Sequence, residues 1–353
     1  MRTRLKRLLE HAQGLQGDWD DQAEAWWRVA ELAADVGELP VGIEASLRAV
    51  DSFRRADQPQ RVLEAVELAL GISLAPSAQS LLKTYRLAAL LDVGALNEAE
   101  QDAESLLDEV TDPKVRPMTL DTVSGIYFAT GRIQALSELA DEMAQASGPM
   151  RCGADFRKAQ LATLAGDADL AKALLMTCIE GLSDVVGSEG ARAAAHGELG
   201  CLYRLLGQHD DALVCFETAA ELWGNAARRA GRFLAESDRA RAILVTGGSY
   251  VPSALDLPIA FCVERGLLLV EAQLRLSRGM CRYHAGADGA REDLNQAIAI
   301  PLECGARLQA GRARLAVAEL MGFPEAEMAR AHRELQLDVL SSRRIERLLA
   351  EQD

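Results

Sequence analysis

The sequence predicts an all-α chain, a solenoid of antiparallel helix pairs, and three observations carry that prediction. Ala, Val, Ile, Leu, Met, Phe, Trp, Tyr and Cys make up 49% of the 353 residues while aromatics are only 5%, so the interior is built largely from Ala and Leu, residues that favour helix. Apolar residues recur three and four apart from Leu5 to Leu349, the period of one helix face. A turn glycine followed five positions later by a small residue recurs along the chain, at Gly37 with Gly42, Gly94 with Ala99, Gly166 with Ala171 and Gly207 with Ala212. A form one residue shorter occurs at Gly131 with Ala135, Gly286 with Ala290 and Gly322 with Ala326. A helix pair of this size cannot bury both apolar stripes alone and must stack on neighbours.

The elements follow in order. Arg2, Arg4, Lys6 and Arg7 open the chain on a solvated helix whose apolar residues are interrupted every two or three positions, unlike the core of a signal peptide. In the segment GDWDD, Asp18 or Asp20 is placed to cap a helix carrying Trp26, Val29, Ala30 and Ala33. The segment lacks the glycine and terminal glutamate of a calcium loop, so no metal is expected there. Trp26 and Trp27 must point in different directions, one packing and the other a candidate partner contact if exposed. The turn glycines are separated by 57, 37, 35, 41, 79 and 36 residues. The first interval has room for an extra helix, expected at Pro59 to Gly71 with Val62, Leu63, Val66, Ala69 and Leu70 on its apolar face. The interval of 79 contains the breaker-rich VTGGSYVPSALDLP. The expected organisation is therefore N-terminal helices over residues 1–72, a repeat body over 73–223, an irregular Arg-rich connector over 224–262, and closing repeats over 263–353. A last helix is expected at Ser342 to Glu351 behind a Ser341-Ser342 cap.

One repeat is specific enough to name a family. In HGELGCLYRLLGQHDDALVCFETAAELWG, Leu199-Gly200, Tyr203, the turn at Gly207, Ala212, Phe216 and Ala219 stand in the pattern of the tetratricopeptide repeat, which this segment resembles. His196 departs from it where Trp is common, and Gly224 where Pro is common. Leu199, Leu202, Tyr203 and Leu206 form one stripe and Ala212, Phe216, Ala219 and Trp223 another, with Gly200 and Ala212 small where the two helices approach closely. The resemblance implies a TPR-like α-solenoid, a right-handed superhelix whose first helices line a concave groove. Mapped onto this chain, the lining is Ala194, Gly197 and Cys201; Leu81, Thr84 and Ala88; Met118, Asp121 and Gly125; and Gly153, Phe156 and Gln160. None of these is the Lys, Arg or Asn with which relatives grip a C-terminal carboxylate. The small and apolar lining leaves room for a helix or extended peptide, or closes on its own packing.

The chain lacks G-x-x-x-x-G-K-[ST], G-x-G-x-x-G, H-E-x-x-H and G-x-S-x-G, and its five histidines are far apart in sequence. The reading is noncatalytic, with no cofactor and no metal. Seven cysteines are spaced by at least fourteen residues, with no C-x-x-C pair, and read as buried hydrophobes in a reducing, cytoplasmic setting. No apolar run approaches the ~20 residues of a membrane span. Net charge is −15, with 38 Lys and Arg against 53 Asp and Glu, which disfavours nonspecific attraction to nucleic acid or anionic membrane. Between Gly224 and Tyr283, however, nine arginines face five acids, a local +4. Arg228, Arg229, Arg232, Arg239 and Arg241 are the densest part, read either as a partner surface or as internally paired with the acidic repeats. The C-terminal GARLQAGRARLAVAEL resembles the TPR sensor arrays of bacterial signal-transduction proteins. That resemblance implies a scaffold or sensor holding a protein or peptide partner, or alternatively a peptide-responsive regulator of a separate effector; the charge pattern adds nucleic-acid binding through the 228–282 arginine zone as a further alternative.

Overall fold

The computed structural model describes residues 2–15, 17–71, 75–226 and 228–321, and beyond them 330, 331, 333, 335, 338, 339 and 341. Among these residues there is no strand. The chain divides into two compact units, Met1–Val123 and Ser124–Asp353, the division falling inside one helix.

The first unit contains α1 (Arg2–Gly14), α2 (Trp19–Val36), α3 (Leu39–Arg55), α4 (Pro59–Leu70), α5 (Pro76–Asp92), α6 (Leu96–Glu109) and the start of α7 (Arg116–Thr130). Asp18 caps α2, its side chain accepting from the Asp20 N–H at 2.8 Å. Asp20 instead accepts from the Gln58 amide, so the acidic segment is used in local structure. The core gathers Trp26, Val29, Phe53, Val62, Val66 and Leu82. Trp27 is half-buried, edge-on to Phe53 at 6.2 Å with the Arg61 guanidinium 4.9 Å over its ring. Neither tryptophan of the pair is therefore an exposed contact, because each face of α2 they occupy is covered. The helix expected at Pro59 is α4, with proline in its first turn, where the missing N–H costs nothing.

The second unit holds the rest of α7, then α8 (Ile133–Ala144), α9 (Pro149–Ala165), α10 (Ala168–Gly181), α11 (Glu189–Leu205), α12 (His209–Asn225), α13 (Arg229–Val245), a 3₁₀ turn (Pro252–Leu255), α14 (Asp256–Arg265), α15 (Leu268–His284), α16 (Ala290–Cys304) and α17 (Arg307–Leu320). Helices pack chiefly on their sequence neighbours, as in α9 with α10, α11 with α12 and α15 with α16. The expected turn glycines Gly37, Gly94, Gly131, Gly166, Gly207 and Gly286 all have φ between 63° and 81°, a backbone state that glycine adopts without the Cβ clash. Gly322 lies outside the described residues.

The segment 224–262 differs from the expected irregular connector. It is mostly helical: α13 and α14 form a further pair joined around Gly247 (φ 78°) and in contact through Phe233 and Phe261 at 5.4 Å. Gly247 splits the interval of 79 into 40 and 39, ordinary repeat lengths. The signal was hidden because position 252 is proline, where the other pairs have a small residue, and the chain takes an extended turn before α14. At the C-terminal end, the Asp338 carboxylate accepts from the Ser341 N–H at 3.1 Å, the pattern of a helix cap. Asp338, and not Ser341, is thus the capping residue there, and the helix expected at 342–351 lies outside the described residues.

Candidate functional site

The second unit encloses a cavity of about 390 Å³. Its wall comes mainly from the end of α7 and from α9, α11, α13, α15 and α17, the first helices of successive pairs, with Ala219 and Trp223 of α12 and Ala297 of α16. Leu315 and Ala318 of α17 share one apolar cluster with Leu164 of α9 and Phe128 of α7, so these three helices meet beside the cavity. Successive first helices are drawn together by small polar side chains. Ser237 of α13 and Ser277 of α15 are both fully buried, their hydroxyls 2.7 Å apart, with the Ser277 hydroxyl donating to the Ser237 carbonyl at 2.9 Å.

Of the residues mapped from sequence, Phe156, Ala194, Gly197 and Cys201 line this cavity. Gln160 is buried behind the wall, accepting from Arg157 at 3.1 Å and hydrogen-bonding Glu198. Gly125 on α7 and Gly153 on α9 are not part of the lining, and a side chain at Gly153 would meet Met143 of α8. Leu81, Ala88, Met118 and Asp121 belong to the first unit. Thr84 corrects the expectation for α5. It is fully buried, its hydroxyl bonded to the Ser80 carbonyl at 2.9 Å and the Thr119 hydroxyl at 2.8 Å, so it joins α5 to α7 and faces no groove.

Of the five arginines from 228 to 241, Arg228, Arg229, Arg232 and Arg239 fall on one side of α13, and Arg241 alone lies on another, buried side. Arg229 lies 5.1 Å over the Phe261 ring. Arg239 pairs with Glu217 of α12 at 3.2 Å and with Glu236. Arg241 is buried at the cavity, paired with Asp238 and donating to the Gln273 amide oxygen at 3.2 Å. Arg232 is exposed, while Arg228 begins the helix.

Besides Arg241, the charged groups of the cavity wall were not singled out from sequence: Glu198 and Arg204 on α11, Asp238 on α13, and Arg312 and Glu319 on α17. Arg312 is held by Asp338, a fully buried carboxylate, at 2.9 Å. Burial works against the Arg312 charge, but Asp338 and then Glu198 overcome it and hold the group above its ordinary value. Glu198 makes no ion pair among the described residues. Burial pushes its carboxyl above the usual carboxylate range, and Asp238 adds to the effect, against the distant attraction of Arg312 and Arg157 and the Gln160 hydrogen bond. Beside it, burial pushes the Cys201 thiol up to about 12, so this thiol is protonated and unreactive. All seven cysteines are free and six are buried.

The strained Glu198 has a stability consequence. Between the unfolded and the raised folded value the folded chain binds the extra proton, so stability falls as pH rises through that window and the full penalty persists above it. Glu198→Gln is expected to melt higher than the parent at about pH 7, with the gain vanishing at about pH 3.5, below the ordinary carboxylate value. Thermal melts at the two pH values check this; a variant that melts no higher at neutral pH would refute the strain.

Among the described residues no group of His, Cys, Asp or Glu could hold a metal, and no helix is long and apolar enough to cross a membrane. No protein-family model matches the chain, and no curated protein sequence matches it. Solved structures do. The chain is similar to a Rap protein complexed with competence and sporulation factor, at 16% identity and TM-score 0.61, over 100% of this chain and 99% of that one. It is also similar to the APC/C hetero-tetramer Cut9–Hcn1 (15% identity, TM-score 0.49, 92% of this chain and 59% of that one) and to the TPR domain of P58(IPK) (14%, 0.27, 99% and 99%). The fold is all-α and tetratricopeptide-like, as the Leu199 to Ala219 pattern implied.

Proposed function

We propose that this chain is a noncatalytic binding protein that holds a protein or peptide segment in the cavity of its second unit, acting as a sensor or scaffold in a cytoplasmic, bacterial-type regulatory assembly. One observation carries the reading: successive first helices turn small and apolar side chains, with a few polar groups, toward one roomy cavity, the arrangement expected of a ligand site. The Rap protein of similar fold is complexed with competence and sporulation factor, which supports a regulatory ligand for this chain too. The pairing of Arg239, Arg241, Arg275, Arg278 and Arg282 with carboxylates weighs against the phosphate-binding alternative.

Gly197 gives a clean test. Nothing lies within 4 Å of the position its Cβ would take, and it lines the cavity. Gly197→Phe should therefore project into the cavity without straining the fold, and Phe is the better helix former by a few tenths of a kcal/mol. The expected result is an undiminished Tm with loss of capture of a random octapeptide pool, quantified by mass spectrometry. Capture by the variant equal to that of the parent would exclude this cavity as the site.

A further inference from the structure

We propose that Trp223 makes one end of the cavity a seat for an aromatic side chain, so that the segment held there is selected by a Phe, Tyr or Trp residue. This rests on the binding reading above and names what the segment must carry. Trp223 ends the stripe formed by Ala212, Phe216 and Ala219 on α12. Those three are fully buried, whereas Trp223 is half-buried and lines the cavity. A side chain of a second helix reaches the space between first helices here because two glycines make way for it. A Cβ at Gly231 of α13 would sit 2.8 Å from the indole Cε3 and closer still to Cδ2 and Cε2, and one at Gly190 of α11 would sit 3.1 Å from Cζ3. The indole is thus held between α11 and α13 before any ligand arrives, which lowers the ordering cost of a contact with it.

Gly190 and Gly231 each stand near the start of their helix, so one indole touching both brings the N-terminal ends of α11 and α13 to the same end of the cavity. From that end the lining changes character in step on both helices. On α11 it runs from Ala194 and Gly197 to Glu198, Cys201 and Arg204, and on α13 from Gly231 and Ala235 to Asp238 and Arg241. With Arg312 and Glu319 of α17, the charged wall has three acids and three arginines, a balance that favours neither sign in a ligand. Selectivity falls to the other end, where the lining contributed by α11, α12 and α13 contains no charged residue. Its small members, Ala194, Gly197, Ala219 and Ala235, leave room beside the indole. A second aromatic ring fills that room and gains an offset or edge-to-face contact beyond its buried area.

The test uses the full chain and the random octapeptide pool, with the composition of the retained peptides read by mass spectrometry against that of the input. Peptides carrying Phe, Tyr or Trp are expected to be enriched about fivefold over those carrying Leu, Ile or Met in their place, the scale of one aromatic pair. Trp223→Leu should remove this excess, and Trp223→Phe, which keeps a ring, should retain most of it. The excess is a ratio within the retained pool, so a smaller folded fraction lowers the amount captured and leaves the ratio unchanged. Trp19, Trp26 and Trp27 belong to the first unit, which makes Trp223 the sole tryptophan of the second. A Phe-containing peptide recovered from the pool should therefore shift the tryptophan emission of the parent and not that of either variant. Retained peptides without an aromatic excess, an excess that Trp223→Leu leaves intact, or an unchanged parent emission overturns the aromatic seat and leaves the binding reading standing. Failure to retain any peptide overturns both.

Discussion

Asp293→Ala is expected to cost about 3–5 kcal/mol, the loss measured when one partner of a buried ion pair is removed. Asp293 lies in the first turn of α16 with 1% of its surface exposed. Arg278 of α15 grips it with two hydrogen bonds, Nε at 2.8 Å and Nη2 at 2.7 Å, and Arg282 adds one at 2.8 Å. Arg275 approaches at 3.4 Å. These arginines fall at i, i+3 and i+7, one face of α15, so a single carboxylate on the facing helix contacts all three. Gly279 makes the approach possible: a Cβ there would sit 2.9 Å from Leu294 and 3.1 Å from the Asp293 Cβ. The hydrogen bond to Asp293 is the main reason that the Arg278 value is raised. Without Asp293, Asp256 and Glu271 remain as the acids for three guanidinium groups.

The measurement is urea unfolding followed by circular dichroism. A fall in the midpoint at constant slope marks lost stability in place of a changed denatured state. The exposed pair Arg48–Glu44 on α3 provides the comparison, since removing it should cost no more than about 0.5 kcal/mol. If Asp293→Ala costs as little as that control, the cluster is not what joins α15 to α16. Because α15 also contributes Gln273 and Leu276 to the cavity wall, the variant should weaken ligand capture beyond what its unfolded fraction explains.

The fold was legible because its signals are local. A glycine at a helix turn, a small residue five positions on and two apolar stripes can each be read within about thirty residues, and six such turns stand where they were expected. The pair α13 and α14 was missed because its turn is longer than the template and its second helix short. The arginine zone left two readings open in the sequence for a different reason. Composition reveals nine arginines, but their partners are supplied by helix register: Asp293 is fifteen residues from Arg278, and Glu217 is twenty-two from Arg239. No local pattern fixes that pairing.

The cavity was legible in part. The family register gave Ala194, Gly197 and Cys201, spaced three and four apart, but a helix turns more than one line of residues toward a concavity. Glu198, next to Gly197 in the same stripe, was passed over for that reason. Continuing the same register onto α13, α15 and α17 would have reached Leu234, Asp238 and Arg241, then Gln273 and Leu276, then Gln309, Arg312 and Ala316. Thr84 shows the opposite error: it occupies the register position, but α5 and α7 close over it through the Thr119 hydroxyl. Which first helices stay apart is decided by packing, which the register does not encode.

Gly200→Leu is expected to destabilise the second unit by about 1–3 kcal/mol or more, the range of core overpacking. A Cβ at position 200 would lie 2.6 Å from Phe216 Cε1 and 2.8 Å from Cδ1, and Phe216 is fully buried on α12 with no room to retreat. Even Ala is expected to lower stability here, although Ala gains about 0.5–1 kcal/mol over Gly at an unhindered helical site. Three residues earlier on the same helix, Gly197 has no such neighbour, so Gly197→Ala should raise stability. Helix propensity is common to both positions and cancels in the comparison; the difference in sign reports the contact with Phe216 alone. Thermal melts of the two alanine variants decide it, at roughly 2–4 °C per kcal/mol for a unit of this size. Matching shifts of the same sign would mean that α11 and α12 do not meet at Gly200, and that the small residue of the Leu199-Gly200 pair has some other cause.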